Sequence, residues 1–242
     1  MSNTIDSVHT ENTAKTINLS FAAAEAYKLL RTNILFSLPD EQKCRIIGIT
    51  SSVRGEGKST TAVNLSHALG QINKKVLLID ADMRLPSVAK KLDLKNEYGL
   101  SNILVDSSQR IELRVTRYSE NESWFILTSG SIPPNPSELL SSARMKSLLA
   151  HLGERYDFII VDLPPVNIVT DALVMAPLLD GMVVVVRENQ TDRKSLDSCV
   201  REIRMTDTKL LGFVMNGAKE NEKSYGKYKR YYKYYRDYQA ED

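Results

Sequence analysis

The sequence predicts a doubly wound, mainly parallel α/β sheet with helices packed on both faces. Two patterns carry that prediction. Apolar runs such as VLLID (76–80), FIIVD (158–162) and MVVVV (182–186) are short and nearly continuous, as in strands buried on both sides. They also take turns with segments of helical periodicity, the order that builds a parallel sheet.

Residues 1–19 are polar, have no apolar period and are expected to be disordered. From Ser20 to Ser37, Phe21, Ala24, Leu29, Leu30, Ile34 and Leu35 recur at helical spacing. Ser20 suits an N-cap, and Pro39-Asp40 ends the helix. Arg45–Thr50 reads as a strand, Lys58–Leu69 as a helix and Val76–Asp80 as a strand. Between Pro86 and Trp124 the pattern gives only short helices and a weak strand, followed by a strand at Trp124–Thr128.

Asn135-Pro136-Ser137-Glu138 opens a helix that the periodicity carries to about Arg155. Strands are expected at Phe158–Asp162, Met182–Val186 and Leu210–Met215, with helices at Asp171–Leu179 and Thr191–Met205. One domain over residues 20–217, with a flexible tail at 218–242, accounts for the chain.

Composition narrows the function. The chain has 242 residues, 42% apolar, with a net charge of +2, too small to call for a nucleic-acid partner. Cys44, Cys199 and the three histidines are scattered, which excludes a sequence-local metal cluster and fits reduced thiols in a cytoplasmic protein. The N-terminus lacks the apolar core of a signal peptide, and no run approaches the roughly 20 apolar residues of a membrane span.

The segment Thr50-Ser51-Ser52-Val53-Arg54-Gly55-Glu56-Gly57-Lys58-Ser59-Thr60 follows a buried strand and opens a helix. In that context glycines let backbone N–H groups converge on phosphate oxygens, and the helix N-terminus adds positive potential. Lys58 suits the β- and γ-phosphates, and the Ser59 hydroxyl suits Mg²⁺. The loop departs from the usual pattern in having Ser52 where a leading glycine stands. Asp162 ends the FIIVD strand at the tip where α/β sheets place ligands, a Walker B arrangement. Asp80 and Asp82 end a second strand, in VLLIDADMRLP, where two carboxylates can divide metal binding and proton acceptance.

Together the phosphate loop, IDADMRLP (the Walker A′ motif) and FIIVDLPP resemble the bacterial tyrosine kinases, most closely the stand-alone CpsD/CapB type. The resemblance extends over EAYKLLRTNI, PPNPSELL and DALVMAPLLDGMVVVV. It implies a MinD/ParA-like P-loop fold that uses ATP and Mg²⁺ to phosphorylate tyrosine, in capsular or extracellular polysaccharide synthesis and export. It also implies Asp80 as the base, Asp82, Asp162 and Ser59 around Mg²⁺, and Lys58 with the Gly55–Thr60 backbone on the phosphates. Asn216, after the last strand, is assigned to the adenine from its position. MinD/ParA-type partition ATPases share some of these motifs, but they carry a lysine where this chain has Val53. The intact lysine, serine and aspartates argue against a pure interaction protein with a dead nucleotide site.

Seven of the eleven tyrosines (Tyr225, Tyr228, Tyr231, Tyr232, Tyr234, Tyr235 and Tyr238) fall in the tail among lysines and arginines. The family reading makes them phosphoacceptors, modified between subunits. Glu25, Lys28 and Arg31 fall at i, i+3 and i+6 of the first helix, similar to the family's ExxRxxR ring-forming motif with Lys in the middle place. The resemblance further implies a homo-oligomeric ring, a membrane-anchored chain-length regulator as activator and recruiter, and a tyrosine phosphatase.

Overall fold

A computed structural model describes residues 17–38, 43–106, 115–117 and 123–218. The seven tail tyrosines and most of the predicted disordered N-terminus lie outside the described residues.

Helix α1 (Phe21–Ser37) starts where expected, with the Ser20 hydroxyl accepting from Ala23 N–H. The order then runs β1 (Arg45–Ser51), α2 (Lys58–Gly70), β2 (Val76–Asp80), α3 (Val88–Leu92) and α4 (Leu100–Val105). Next come β3 (Thr116–Arg117), β4 (Trp124–Leu127), α5 (Pro136–Leu140), α6 (Ala143–Gly153) and β5 (Phe158–Asp162). The described chain closes with α7 (Asp171–Met175), a 3₁₀ turn at Ala176–Leu178, β6 (Gly181–Arg187), α8 (Arg193–Arg204) and β7 (Leu210–Asn216).

The seven strands form one sheet in the order β3-β4-β2-β5-β1-β6-β7, parallel except for the two-residue β3 at the edge. Strand β1 lies in the interior of the sheet, between β5 and β6. Because β2 pairs with β5 rather than β1, their ends open a crevice, and the register sets Asp80 beside Asp162.

Successive side chains of the continuous apolar runs point to opposite faces, and each face buries its own core. One core packs β-strand residues against α4 to α8, including Leu77, Ile159, Val184 and Ile203. The other packs Ile47, Ile49, Leu78 and Ile160 against α1, α2 and α3. Ile47, Ile49, Leu77 and Leu78 are fully buried, each stabilising the fold by about 1.5–3 kcal/mol relative to exposure.

Two expected helices are broken. The one read from Asn135 to about Arg155 stops at Leu140 and restarts at Ala143, because the Ser142 hydroxyl accepts from Met145 N–H and caps a new helix. The one read over Asp171–Leu179 tightens to 3₁₀ geometry at Ala176, where Pro177 has no N–H to continue the ladder.

A candidate phosphate and acceptor site at the strand tips

The loop after β1 wraps the start of α2 with Gly55 at φ 82° and Gly57 at φ 101°, conformations that favour glycine. A side chain at Gly57 could not fit. Its Cβ would lie 1.8 Å from Asn216 Nδ2, which itself donates to Glu56 O at 3.1 Å. Asn216, expected at the adenine, thus has its amide engaged on the phosphate loop.

Neighbouring side chains hold the same loop. Arg187 Nη1 donates to Gly55 O at 3.0 Å, and Gln190 Nε2 to Arg54 O at 3.1 Å. Glu56 is fully buried, and its carboxylate accepts from Val53 N–H, the Ser52 hydroxyl and the Thr191 hydroxyl. The unusual Ser52 is therefore a donor that helps satisfy an internal carboxylate. Among residues 55–60, Glu56 contributes a brace turned inward, while Lys58 and Ser59 face the cleft.

That cleft encloses about 340 Å³. Arg54, Lys58, Arg84, Lys91 and Arg187 line it with positive charge, suited to a polyphosphate. Lys91 Nζ also donates to Thr60 Oγ1 at 2.9 Å. A different wall, of Leu85, Pro165, Ile168 and Val169, is apolar, and Leu85 and Ile168 are about half exposed.

Lys58 Nζ donates to Asp82 Oδ2 at 2.7 Å and to Ser59 Oγ at 3.3 Å, and lies 3.7 Å from Asp162 Oδ1. Burial works against its charge, but Asp162 and Asp82 outweigh burial and raise the ammonium above its ordinary value. Asp82 lines the cleft, its other oxygen accepting from Leu85 N–H at 3.1 Å.

Asp80 lies behind it, fully buried, and accepts from the N–H groups of Asp82, Ser87 and Val88. Burial first, then the neighbouring Asp162, push its carboxyl up to about 8, against the pull of Val88 N–H and Lys58. Asp162 is also fully buried, and burial raises it despite Lys58 and the nearby Ser59 hydroxyl. Neither of its oxygens has a hydrogen-bond partner of good geometry.

Two carboxylate oxygens without a hydrogen bond, one of them 3.7 Å from the Lys58 ammonium, stand beside the Ser59 hydroxyl and suit a hard divalent cation. Among the described residues no group of three or more His, Cys, Asp or Glu is placed to hold a metal alone. A Mg²⁺ that keeps waters and phosphate oxygens as ligands needs no such group.

The structure thus gathers Lys58, Ser59, Asp82 and Asp162 at one point, sets Asp80 behind them and puts Asn216 behind the loop. Contributors not singled out from the sequence include Arg84, Lys91, Arg187, Gln190 and Thr191. Arg84 stands inside IDADMRLP, a signal that was present. Arg187 and Thr191 flank the end of a strand and carry no local mark.

On α1, Glu25 and Lys28 form an exposed pair at 2.7 Å, whereas Arg31 Nη1 donates to Ala68 O at 2.8 Å within the chain. Among the described residues no helix is long and apolar enough to cross a membrane.

Residues 44–211 match the AAA domain family. The tyrosine-protein kinase YwqD of Bacillus subtilis is 41% identical over 206 residues, 85% of this chain and 86% of that protein. The crystal structure of the chimerical protein CapA2B2 superposes with a TM-score of 0.76 at 38% identity, covering 81% of this chain and 85% of its own. The cell division ATPase MinD of Pyrococcus furiosus shares the fold at 23% identity, with a TM-score of 0.60 over 73% of this chain and 74% of its own.

Proposed function

Since this chain belongs to the bacterial tyrosine kinases and is a protein-tyrosine kinase, we propose that its acceptor is the tyrosine cluster at its own C-terminus, reached on a neighbouring copy. The phosphate donor in this reading is MgATP, and the pathway served is capsular or extracellular polysaccharide synthesis and export. Residues 20–217 make the kinase domain, and residues 218–242 are the substrate arm.

One observation carries the reading: Lys58 sits between Asp82 and Asp162 at the mouth of a cleft with a cationic side and an apolar side. The cationic side suits phosphates, and the apolar wall suits an aromatic ring. Phosphoryl transfer asks mainly for positioning and charge neutralisation, which these groups supply. Ser59 and Asp162, with Asp82 at the edge, would hold Mg²⁺. When bound, the ion neutralises charge on the transferring phosphoryl group.

Backbone N–H groups of Gly55 to Thr60 and the Lys58 ammonium take the phosphates. As Lys58 turns to them, Asp82 Oδ2 is released to face the incoming tyrosine hydroxyl. Proton acceptance, expected of Asp80, is better placed on Asp82, which lines the cleft. Asp80 fits the work of a brace, since it holds the start of α3 through Ser87 and Val88. The ring, the membrane-anchored activator and the resetting phosphatase complete the reading.

The test is to incubate the purified protein with MgATP, alone and with the cytoplasmic segment of such an activator, and to map phosphotyrosine by mass spectrometry. Phosphate on Tyr225 to Tyr238 supports the assignment. Phosphate confined to other tyrosines overturns it.

A further inference from the structure

Arg84 lies two residues beyond Asp82 on the loop leaving β2. Its guanidinium forks onto Asp171 at the start of α7: Nε donates to Oδ2 at 2.9 Å and Nη2 to Oδ1 at 3.0 Å. The Ser137 hydroxyl, in the first turn of α5, donates to Asp171 Oδ1 at 2.6 Å and accepts from Arg84 Nη2 at 3.1 Å. Asp171 is wholly buried, and both of its oxygens are engaged.

A planar fork on a buried carboxylate fixes position and angle together, unlike a surface ion pair. Three separate loops, from the tips of β2, β4 and β5, are thereby drawn onto one carboxylate. Two of them, the loops after β2 and β5, line one side of the cleft. The loop after β2 supplies Asp82 and Leu85, joined by the Leu85 N–H bond to Asp82, and the loop after β5 supplies Ile168 and Val169. Arg84 still opens onto the cleft, with 37% of its side chain exposed. The phosphate loop is braced from elsewhere, by Glu56, Arg187, Gln190 and Asn216.

We propose that the Arg84–Asp171–Ser137 cluster is the positioning device for the acceptor side of the reaction. It sets the Asp82 turn and the Leu85/Ile168 wall against which the acceptor tyrosine ring lies. The proposal rests on the tyrosine-transfer reading above and adds a division of labour. One set of contacts holds the phosphates, and another presents the hydroxyl, the two meeting at the Lys58–Asp82 pair.

The experiment compares wild type with Asp171→Asn, Arg84→Lys and Ser137→Ala. Each is measured for binding of a fluorescent ATP analogue and for phosphate transfer to two acceptors, a peptide of residues 223–242 and a random Glu-Tyr copolymer. Displacement of an acceptor by about 1 Å can lower transfer on the order of 100-fold. Asp171→Asn is therefore expected to lose roughly 10- to 100-fold in transfer, with a raised KM for the acceptor.

Nucleotide affinity should stay within about twofold, because the phosphate loop has its own supports. Arg84→Lys keeps the charge without the fork and should fall between Asp171→Asn and wild type, with Ser137→Ala the mildest. If Asp171→Asn does not fold, the same ordering of Arg84→Lys and Ser137→Ala decides the matter. Unchanged transfer, or parallel losses of nucleotide affinity and transfer, overturns the proposal. A wild type that labels the copolymer but not the peptide removes the tail as acceptor and leaves the cluster to be judged on the copolymer. A wild type that labels neither removes the premise, and the proposal with it.

Discussion

Lys58 Nζ is 2.7 Å from Asp82 Oδ2, so the ammonium assigned to the phosphates is already paired with the carboxylate assigned to the acceptor. Both side chains are nearly buried, which makes the contact costly to break on one side only. Lys58→Met is therefore expected to do two things. Phosphotyrosine should fall by at least about 100-fold, the usual cost of losing one preorganised electrostatic group. Thermal stability should fall as well, because Asp82 loses the cation it is hydrogen-bonded to. The double substitution Lys58→Met with Asp82→Asn should recover melting temperature without recovering transfer. A single variant as stable as wild type would show that the pair contributes nothing to the fold.

Asp162 carries a different signature. Its oxygens are buried without a hydrogen-bond partner, an arrangement that costs on the order of 1–3 kcal/mol. Asp162→Asn removes the charge at nearly constant volume. It should stabilise the Mg²⁺-free protein by up to ~2 kcal/mol and abolish Mg²⁺-dependent nucleotide binding. Calorimetry with and without Mg²⁺ checks both halves. A destabilised variant would mean that the carboxylate is satisfied in solution.

The same tips titrate. Asp80 is pushed up to about 8 by burial and by Asp162, far above the ordinary carboxylate range. Between about pH 4 and about pH 8 the folded chain keeps this proton while the unfolded chain has released it. Stability from this group is thus present below about pH 4 and is lost as pH rises towards about 8. Without nucleotide, wild type should melt lower at pH 8 than at pH 6, and Asp80→Asn should flatten that slope. Identical slopes would assign the dependence to another group.

These properties could be read from the sequence only in part. VLLID, FIIVD and the loop to Lys58 were legible because a buried parallel strand and a phosphate loop are local patterns. The broken helix at Ser141-Ser142 was not, since Leu139, Leu140, Leu148 and Leu149 keep a helical period across the break. Glu56 read as one more loop residue, because nothing near it in the chain announces Thr191, 135 residues on. Arg84 and Asp171, 87 residues apart, were each visible and could not be paired without the sheet order. The resemblance gave Asp80 the proton and Asp82 the metal, and the sequence could not show that Asp82 lines the cleft while Asp80 lies behind it.

On α1 the structure divides a motif that looks uniform in the sequence. Glu25 and Lys28 bond each other in solvent, where a pair contributes only about 0.2–1 kcal/mol. Arg31 is tied to Ala68 O near the end of α2, so its loss costs the fold about 1–2 kcal/mol. Replacing Glu25 and Lys28 by alanine should shrink the assembly in light scattering with little change in melting temperature. Arg31→Ala should lower both. If the Glu25/Lys28 variant keeps wild-type size, the exposed pair is not an interface.

The tail gives the last prediction. It leaves the sheet after Asn216, whose amide already holds the phosphate loop, so the arm begins at the nucleotide side of its own subunit. Tyrosines interleaved with lysine and arginine suit approach to the phosphates of a nucleotide bound in the cleft. Each phosphate adds roughly −1.5 to −2 charges, so seven would add about −10 to −14. That exceeds the positive charge of the tail and turns attraction into repulsion. Subunits that assemble, modify one another and disperse would follow, with a phosphatase closing the cycle. Mixing a Lys58→Met protein that keeps its tail with an active protein lacking residues 223–242 isolates transfer between subunits. Phosphate is expected on the tail of the inactive partner, and a tail that stays unmodified sinks the exchange. The fully phosphorylated wild type should then sediment more slowly than the unmodified form, and an equal size would end the dispersal step.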